Sequence, residues 1–435
     1  MPFVALSDSS SSVSPKQLMI ICASNAVTYF DFLIYLFMAD IISSTFFPAN
    51  DDPILAKMQV LSLFIAGYLT RPIGAMLLGR YADVKGRRPA LLISMSCIAV
   101  TALITASLPT YAQVGILSPI LFFIARLIQG MAFGAHTPLG WVYIAEHVNK
   151  RNLATYLSFV TASFMLGELG SNLLFEIITS THTRDQLIES GWRIPFVWAA
   201  MFSFIVLLLL QTLNETPIFT NQPNKQPFVL KLSELSPYLK RFNAIFLAMI
   251  TTFIIASLTM VIALLLPELI SMKFSIDESM LTFSNNLSLL FLMIGCVFYG
   301  LIADKSGTGK TMMIGAAALM IQALAFFYHL EHGGGSFILF MYAILGFCAG
   351  IMSLGSVILV QLFPTEVRVT AVSLTYNLMY ALVGITLPFG LGYATNLVSF
   401  SPALYITFVS IVTFIIGLYI YRLPKFKNLD ESIKL

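Results

Sequence analysis

The residues in this sequence that could do chemistry are charges standing in apolar surroundings. Asp31 lies in SNAVTYFDFLIY, Arg71 in LTRPIGAMLLG, Arg126 in LFFIARLIQG, His136 in MAFGAHTPLG and Glu168 in FMLGELGSN. A charge in hydrocarbon costs a few kcal/mol even on lenient scales, so each is a functional candidate by default. At helical spacing Asn25, Thr28, Asp31 and Tyr35 share one face, and Arg126, Gln129, Phe133, His136 and Gly140 share another. A carboxylate removed from water suits a proton carrier. That role fits Asp31, with a structural ion pair to Arg71 or Arg126 as the alternative. A guanidinium clamps a carboxylate with two parallel hydrogen bonds, which fits Arg126, with a gating salt bridge as its alternative. Asn25, Gln129 and Tyr35 on these faces, and Tyr376 and Asn377 in VSLTYN, complete the candidate binding set. Asp40 lies nearer a rim, where solvation is expected, and Arg71 before Pro72 reads as structural or gating.

These side chains need elements to hold them, and the composition says which. Of 435 residues 58% are hydrophobic and 10% charged, against about 25% charged in ordinary soluble domains. Apolar runs fall near 17-47, 58-80, 89-109, 116-146, 152-180, 192-213, 242-270, 281-303, 311-330, 336-363, 370-397 and 402-422. A bilayer core takes about 20 apolar residues per helix. The expectation is an all-α integral membrane protein of about twelve transmembrane helices with lipid as its main solvent. Cys22, Cys97, Cys296 and Cys348 all lie in apolar runs without metal-ligand spacing, and read as small core residues.

Basic residues set the orientation. One set of alternate segments carries Lys16, Arg80, Lys85, Arg87, Arg88, Lys150, Arg151, Lys240, Arg241, Lys305, Lys310, Arg368 and Arg422 among others, whereas the other carries Lys57, Arg184, Arg193 and Lys273. Lys and Arg are retained on the cytoplasmic side, so both termini are expected there, in a bacterial inner membrane. The net charge of +3 is then a topology signal rather than a nucleic-acid footprint. The polar, proline-bearing stretch at 214-241 divides the chain into a cytoplasmic tail (1-16), a six-helix half (17-213), this linker, a second six-helix half (242-422) and a closing tail (423-435).

An internal repeat supports the division. GRYADVKGRRP holds Gly79, Asp83, Gly86, Arg87 and Arg88, and GLIADKSGTGK holds Gly300, Asp304, Gly307 and Lys310, with Gly, Asp and Gly in the same register. The first glycine permits close helix contact, the aspartate can meet a helix N-terminus or a basic residue, and the second glycine turns the chain. SGTGKT is no nucleotide site, because a P-loop needs glycine where Asp304 stands and follows a strand. The paired loops resemble the signature loop of the major facilitator superfamily, which implies its fold, two halves related by a pseudo-two-fold axis and rocking about a central site.

Further segments (TRPIGAMLLGRYAD, RLIQG followed by YIAEHVNKR, GWRIPF, ETPIF and FPTEVRVTAVSLTYN) are similar to the metabolite:proton symporter branch, which carries α-ketoglutarate, citrate, shikimate and proline or betaine. The resemblance implies proton-coupled uptake of a small organic acid or zwitterion by a monomer. A proton-driven exporter of a metabolite, drug or carboxylate siderophore is the alternative. Substrate, protons and lipid are the expected partners, without cofactor, metal, nucleic acid or catalytic residues. Glu146 with Lys150 and Arg151, and Glu366 with Arg368, stand at corresponding places in the halves and suit a closing network, with Arg71 and the loop residues. The chain departs from the branch at Thr28 and His136, where carboxylates are usual. His136 and Glu168 are therefore expected to join Asp31 in handling the proton, with Glu168 pairing with Arg126 when substrate is absent. Structural roles for both are the alternative.

Overall fold

The structure, a computed structural model, describes residues 13–48, 53–220, 242–333 and 337–423. The outer parts of both tails and linker residues 221–241, with the expected domain limit at 241/242, lie outside the described residues or at their edge. Among the described residues twelve long helical units carry the chain. They are α1 (Pro15–Phe37), α2 (Pro53–Lys85), α3 (Arg87–Ser107), α4 (Leu117–Ala145), α5 (Leu153–Thr181) and α6 (Arg193–Leu210). The second set is α7 (Phe242–Leu258, with a π-helical stretch Thr259–Leu265 and a last piece Leu266–Ser271), α8 (Glu278–Ser306), α9 (Thr308–Gly333), α10 (Ile338–Ala349, a 3-10 turn Gly350–Ser353, then Leu354–Leu362), α11 (Arg368–Leu397) and α12 (Ser401–Arg422). Eleven of them are long and apolar enough to cross a membrane. The other, α2, has 33 residues, a length of about 50 Å at 1.5 Å per residue.

Local chemistry sets the ends. Ser14 and Gln17 form a reciprocal capping box with Pro15 in the first turn of α1. The first apolar run does not continue to residue 47 as one helix: it breaks at Met38, and a separate helix spans Ala39–Phe46. Gly86 and Gly307, the second glycines of the repeated loops, have φ of 116° and 89°, which side-chain-bearing residues rarely adopt. Large apolar side chains such as Leu103, Phe204, Ile314 and Phe408 are exposed on the outside, as lipid requires.

Inside, glycines bring backbones together where the charged residues sit. An added Cβ at Gly74 would lie 1.9 Å from the Met131 carbonyl oxygen, and one at Gly130 2.2 Å from that of Gly67, so α2 and α4 touch backbone to backbone. Arg71, Arg126 and Gln129 flank this seam. The second half repeats it between α8 and α10, with Gly295 against the Phe347 carbonyl and Gly346 against that of Ser288.

Candidate functional site

At the centre of the first half, α1, α2 and α4 bring Asp31, Arg71, Arg126 and Gln129 together, all buried. Arg126 Nη1 donates to Gln129 Oε1 at 2.5 Å, and Gln129 Nε2 donates to Asp31 Oδ2. The amide thus stands between aspartate and arginine, which do not pair directly. Arg126 Nε and Nη2 and Asp31 Oδ1 have no hydrogen-bond partner. The Arg126 guanidinium lies over the rings of Tyr35 and Phe32, at 4.3 and 5.0 Å from their centroids. Arg71 is boxed by Phe32, Tyr68 and Phe133 at 4.1, 4.0 and 3.9 Å.

His136 is fully buried but faces elsewhere. Its Nε2 lies 2.6 Å from Ser24 Oγ and its Nδ1 2.9 Å from Ser94 Oγ. Ser94 gives its only hydroxyl hydrogen to the Ala132 carbonyl, so Nδ1 must donate to Ser94, and Nε2 accepts from Ser24. That is a neutral imidazole with both nitrogens satisfied. Glu168 stands on α5 between Ser158 and Asn172, which contact the second half at Ser353 and Asn286. Neither of its carboxylate oxygens has a hydrogen-bond partner. Among the described residues no hydrogen-bonded path joins Asp31, His136 and Glu168, and Glu168 does not pair with Arg126.

The repeated loops lie at one end of the bundle, and each sends its aspartate to the other half. Asp83 accepts the backbone N–H groups of Val369 and Thr370 at 3.1 and 2.9 Å and the Thr370 hydroxyl at 2.7 Å, at the start of α11. Asp304 accepts those of Ala154 and Thr155 at 2.9 and 2.8 Å, at the start of α5. A negative charge at a helix N-terminus meets orphan donors and the positive end of the dipole. Gly79 and Gly300 make these approaches possible, since a Cβ would lie 2.9 Å from Thr370 Cα and 2.6 Å from Ser158 Oγ respectively.

Beside Asp83 a buried charge network closes the same end. Arg87 clamps Glu146 through Nε and Nη2 at 3.0 and 2.9 Å, while Arg368 Nη1 reaches the same carboxylate at 3.1 Å. Thr216 donates to Glu146 at 2.7 Å, and Arg87 Nη2 also donates to the Thr365 carbonyl across the halves. Glu215 caps α3 by accepting the N–H groups of Arg87 and Arg88 at 2.9 and 3.1 Å.

A model of the Major Facilitator Superfamily matches residues 18–388. The chain belongs to the Major Facilitator Superfamily. It is therefore a membrane transporter rather than an enzyme. It is 29% identical over 378 residues to the inner membrane metabolite transport protein YhjE of Escherichia coli (strain K12), covering 83% of each chain. It is 27% identical to the citrate-proton symporter of Klebsiella pneumoniae, covering 92% of this chain and 90% of that one. The fold matches the proton:xylose symporter XylE of E. coli with a TM-score of 0.77 at 16% identity, over 94% of this chain and 95% of that one.

Within this Major Facilitator Superfamily fold the remaining expected residues distribute unevenly. Asn25 donates to the Ile21 carbonyl and leaves Oδ1 without a partner. Tyr376 meets Tyr29 hydroxyl to hydroxyl at 3.2 Å across the halves, and Asn377 gives its amide hydrogens to the Gly134 and Ser373 carbonyls, so both knit α11 to the first half. Of the residues expected in a closing network, Arg151 is exposed, and Arg151 and Glu366 form no ion pair among the described residues; Glu146 stands between Arg87 and Arg368, where three helix ends converge. The roles of Glu215 and Thr216 are not readable from the sequence, although ETPIF is one of the family-like segments. Asn285 and Tyr342 also went unread, and they donate to the Ala263 and Ile262 carbonyls of α7. Pro267, four and five residues on, has no N–H to give them, and that signal was available.

Proposed function

We propose that this transporter carries a small carboxylate-bearing metabolite together with protons across the bacterial inner membrane by alternating access. One observation carries the reading: the Nε/Nη2 edge of Arg126 is buried, held in orientation by Gln129 and without a partner. It is the edge with which Arg87 clamps Glu146. Leaving charged donors unpaired in a dry interior is costly, and a substrate carboxylate would relieve that cost.

The same cluster couples the proton. With Asp31 ionised, its charge offsets Arg126 through Gln129; with Asp31 protonated, the guanidinium is uncompensated and attracts an anion more strongly. Proton and anion then bind as a pair, which is symport. Glu168 is a second candidate proton site, while the saturated imidazole of His136 suits a packing role. The Asp83 and Asp304 caps and the Arg87, Glu146 and Arg368 network form the cytoplasmic gate, between halves at 17–213 and 242–422 joined by the 214–241 linker. Both termini are cytoplasmic, following the basic residues, and the unit is a monomer.

The test uses purified protein in liposomes. An inward proton gradient should drive accumulation of citrate, α-ketoglutarate or a related carboxylate above equilibrium, and an uncoupler should abolish it. Accumulation that survives the uncoupler refutes the coupling, and no uptake of any carboxylate refutes the substrate class.

A further inference from the structure

We infer that the central site accepts a carboxylate but rejects a substrate that also carries a cationic centre, a quaternary ammonium above all. This rests on the carboxylate reading of Arg126. Proteins hold ammonium groups on the faces of aromatic rings or against carboxylates, and around Arg126 both are already committed. Phe32, Tyr68 and Phe133 enclose Arg71, and Phe32 and Tyr35 carry Arg126, so every one of these four rings has a resident guanidinium and Phe32 has two.

The neighbouring rings are turned on one another. Tyr29 stacks on Phe164 with centroids 4.7 Å apart, Trp141 meets Tyr376 edge-on at 5.3 Å, and Tyr376 packs on Tyr380 at 4.5 Å. The carboxylate of the cluster, Asp31, already accepts from Gln129, beyond which stands the Arg126 guanidinium. A zwitterion whose carboxylate met the free edge of Arg126 would bring its positive end into a cluster of net positive charge where, among the described residues, the rings nearest Arg126 already carry a guanidinium. Glu168 could answer a cation, but it lies on α5 beyond the reach of both guanidiniums, its charge felt by Tyr342 of the second half and by Tyr68 at the edge of the cluster.

The proposal is tested with ligand pairs that differ by one charge. Glycine betaine and 3,3-dimethylbutanoate have the same shape, with nitrogen replaced by carbon, and glutamate differs from glutarate by its ammonium. Each is measured as an inhibitor of citrate uptake by wild-type protein in liposomes and as a ligand of the detergent-purified protein. The member without positive charge should be effective at a concentration lower by about tenfold or more, a difference of about 1.4 kcal/mol. Glu168→Gln should leave that ratio unchanged, and Arg71→Met, which empties the ring box and removes a cation, should narrow it. Should Arg71→Met fail to fold, the wild-type ratio decides alone. Betaine or glutamate binding as well as its partner would overturn the exclusion while leaving the carboxylate reading intact. If no carboxylate of any kind binds, the carboxylate reading falls and takes this inference with it.

Discussion

Replacing Arg126 by lysine keeps a positive charge in the site and removes its shape. The arginine points Nη1 at Gln129, at 2.5 Å, and leaves Nε and Nη2 for a ligand. A single ammonium cannot serve Gln129 and also offer two parallel donors. A hydrogen bond to a charged group contributes about 1.5–3 kcal/mol. Loss of one of two such bonds therefore weakens binding roughly 10- to 150-fold, and Arg126→Gln, which loses both, weakens it by on the order of 100-fold or more. Unliganded stability of Arg126→Gln should change much less, because that substitution also removes a buried cation with unsatisfied donors. The assay is titration of detergent-purified protein with whichever of succinate, α-ketoglutarate and citrate binds the wild type best, with thermal denaturation of each variant alongside. Wild-type affinity in Arg126→Lys but not in Arg126→Gln would refute the fork argument and leave only charge. Wild-type affinity in both would remove Arg126 from the site.

Glu146→Gln leaves Arg87 and Arg368 buried without their shared counter-charge, so a loss on the order of 3–5 kcal/mol is expected, visible as a lower melting temperature and greater labelling of cysteines placed at the cytoplasmic end; an unchanged melting temperature argues that the network contributes little. Asp31→Asn is expected to keep substrate exchange between the two sides and lose gradient-driven accumulation, and accumulation at the wild-type level would exclude Asp31 as the proton carrier. His136→Gln should transport with the wild-type pH profile between pH 5.5 and 8, since both imidazole nitrogens are held by serine hydroxyls; a displaced profile would return His136 to the proton path.

What could be read from the sequence was what depends on local spacing. Lipid demands long uninterrupted apolar runs, so the helices were legible, and the Gly, Asp and Gly loops were legible because turn and cap lie within a few residues. Partners chosen by convergence of distant helices were not. In the chain Glu146 stands beside Lys150 and Arg151, and spacing alone does not show that it meets Arg87 from α3 and Arg368 from α11. His136 shows the limit of helical periodicity: ten residues after Arg126 the helix has rotated to a position about 80° away, enough to turn the side chain from the central cluster towards α1 and α3. The central charges were legible as types, because the membrane tolerates few of them, but the bridging of Asp31 to Arg126 by Gln129 needed α1 and α4 to be brought side by side.

The two aspartate caps address backbone N–H groups, at Ala154 and Thr155 on one side and Val369 and Thr370 on the other. Every amino acid except proline supplies such a group. The residues at Ala154, Thr155 and Val369 can therefore drift without loosening these bonds, whereas Thr370 also gives its hydroxyl to Asp83, and any change at Asp83 or Asp304 is felt at once. At these two points the halves recognise backbone rather than side chains, so sequence divergence is restrained there far less than at the Glu146 and Arg368 contact, where both partners must be kept.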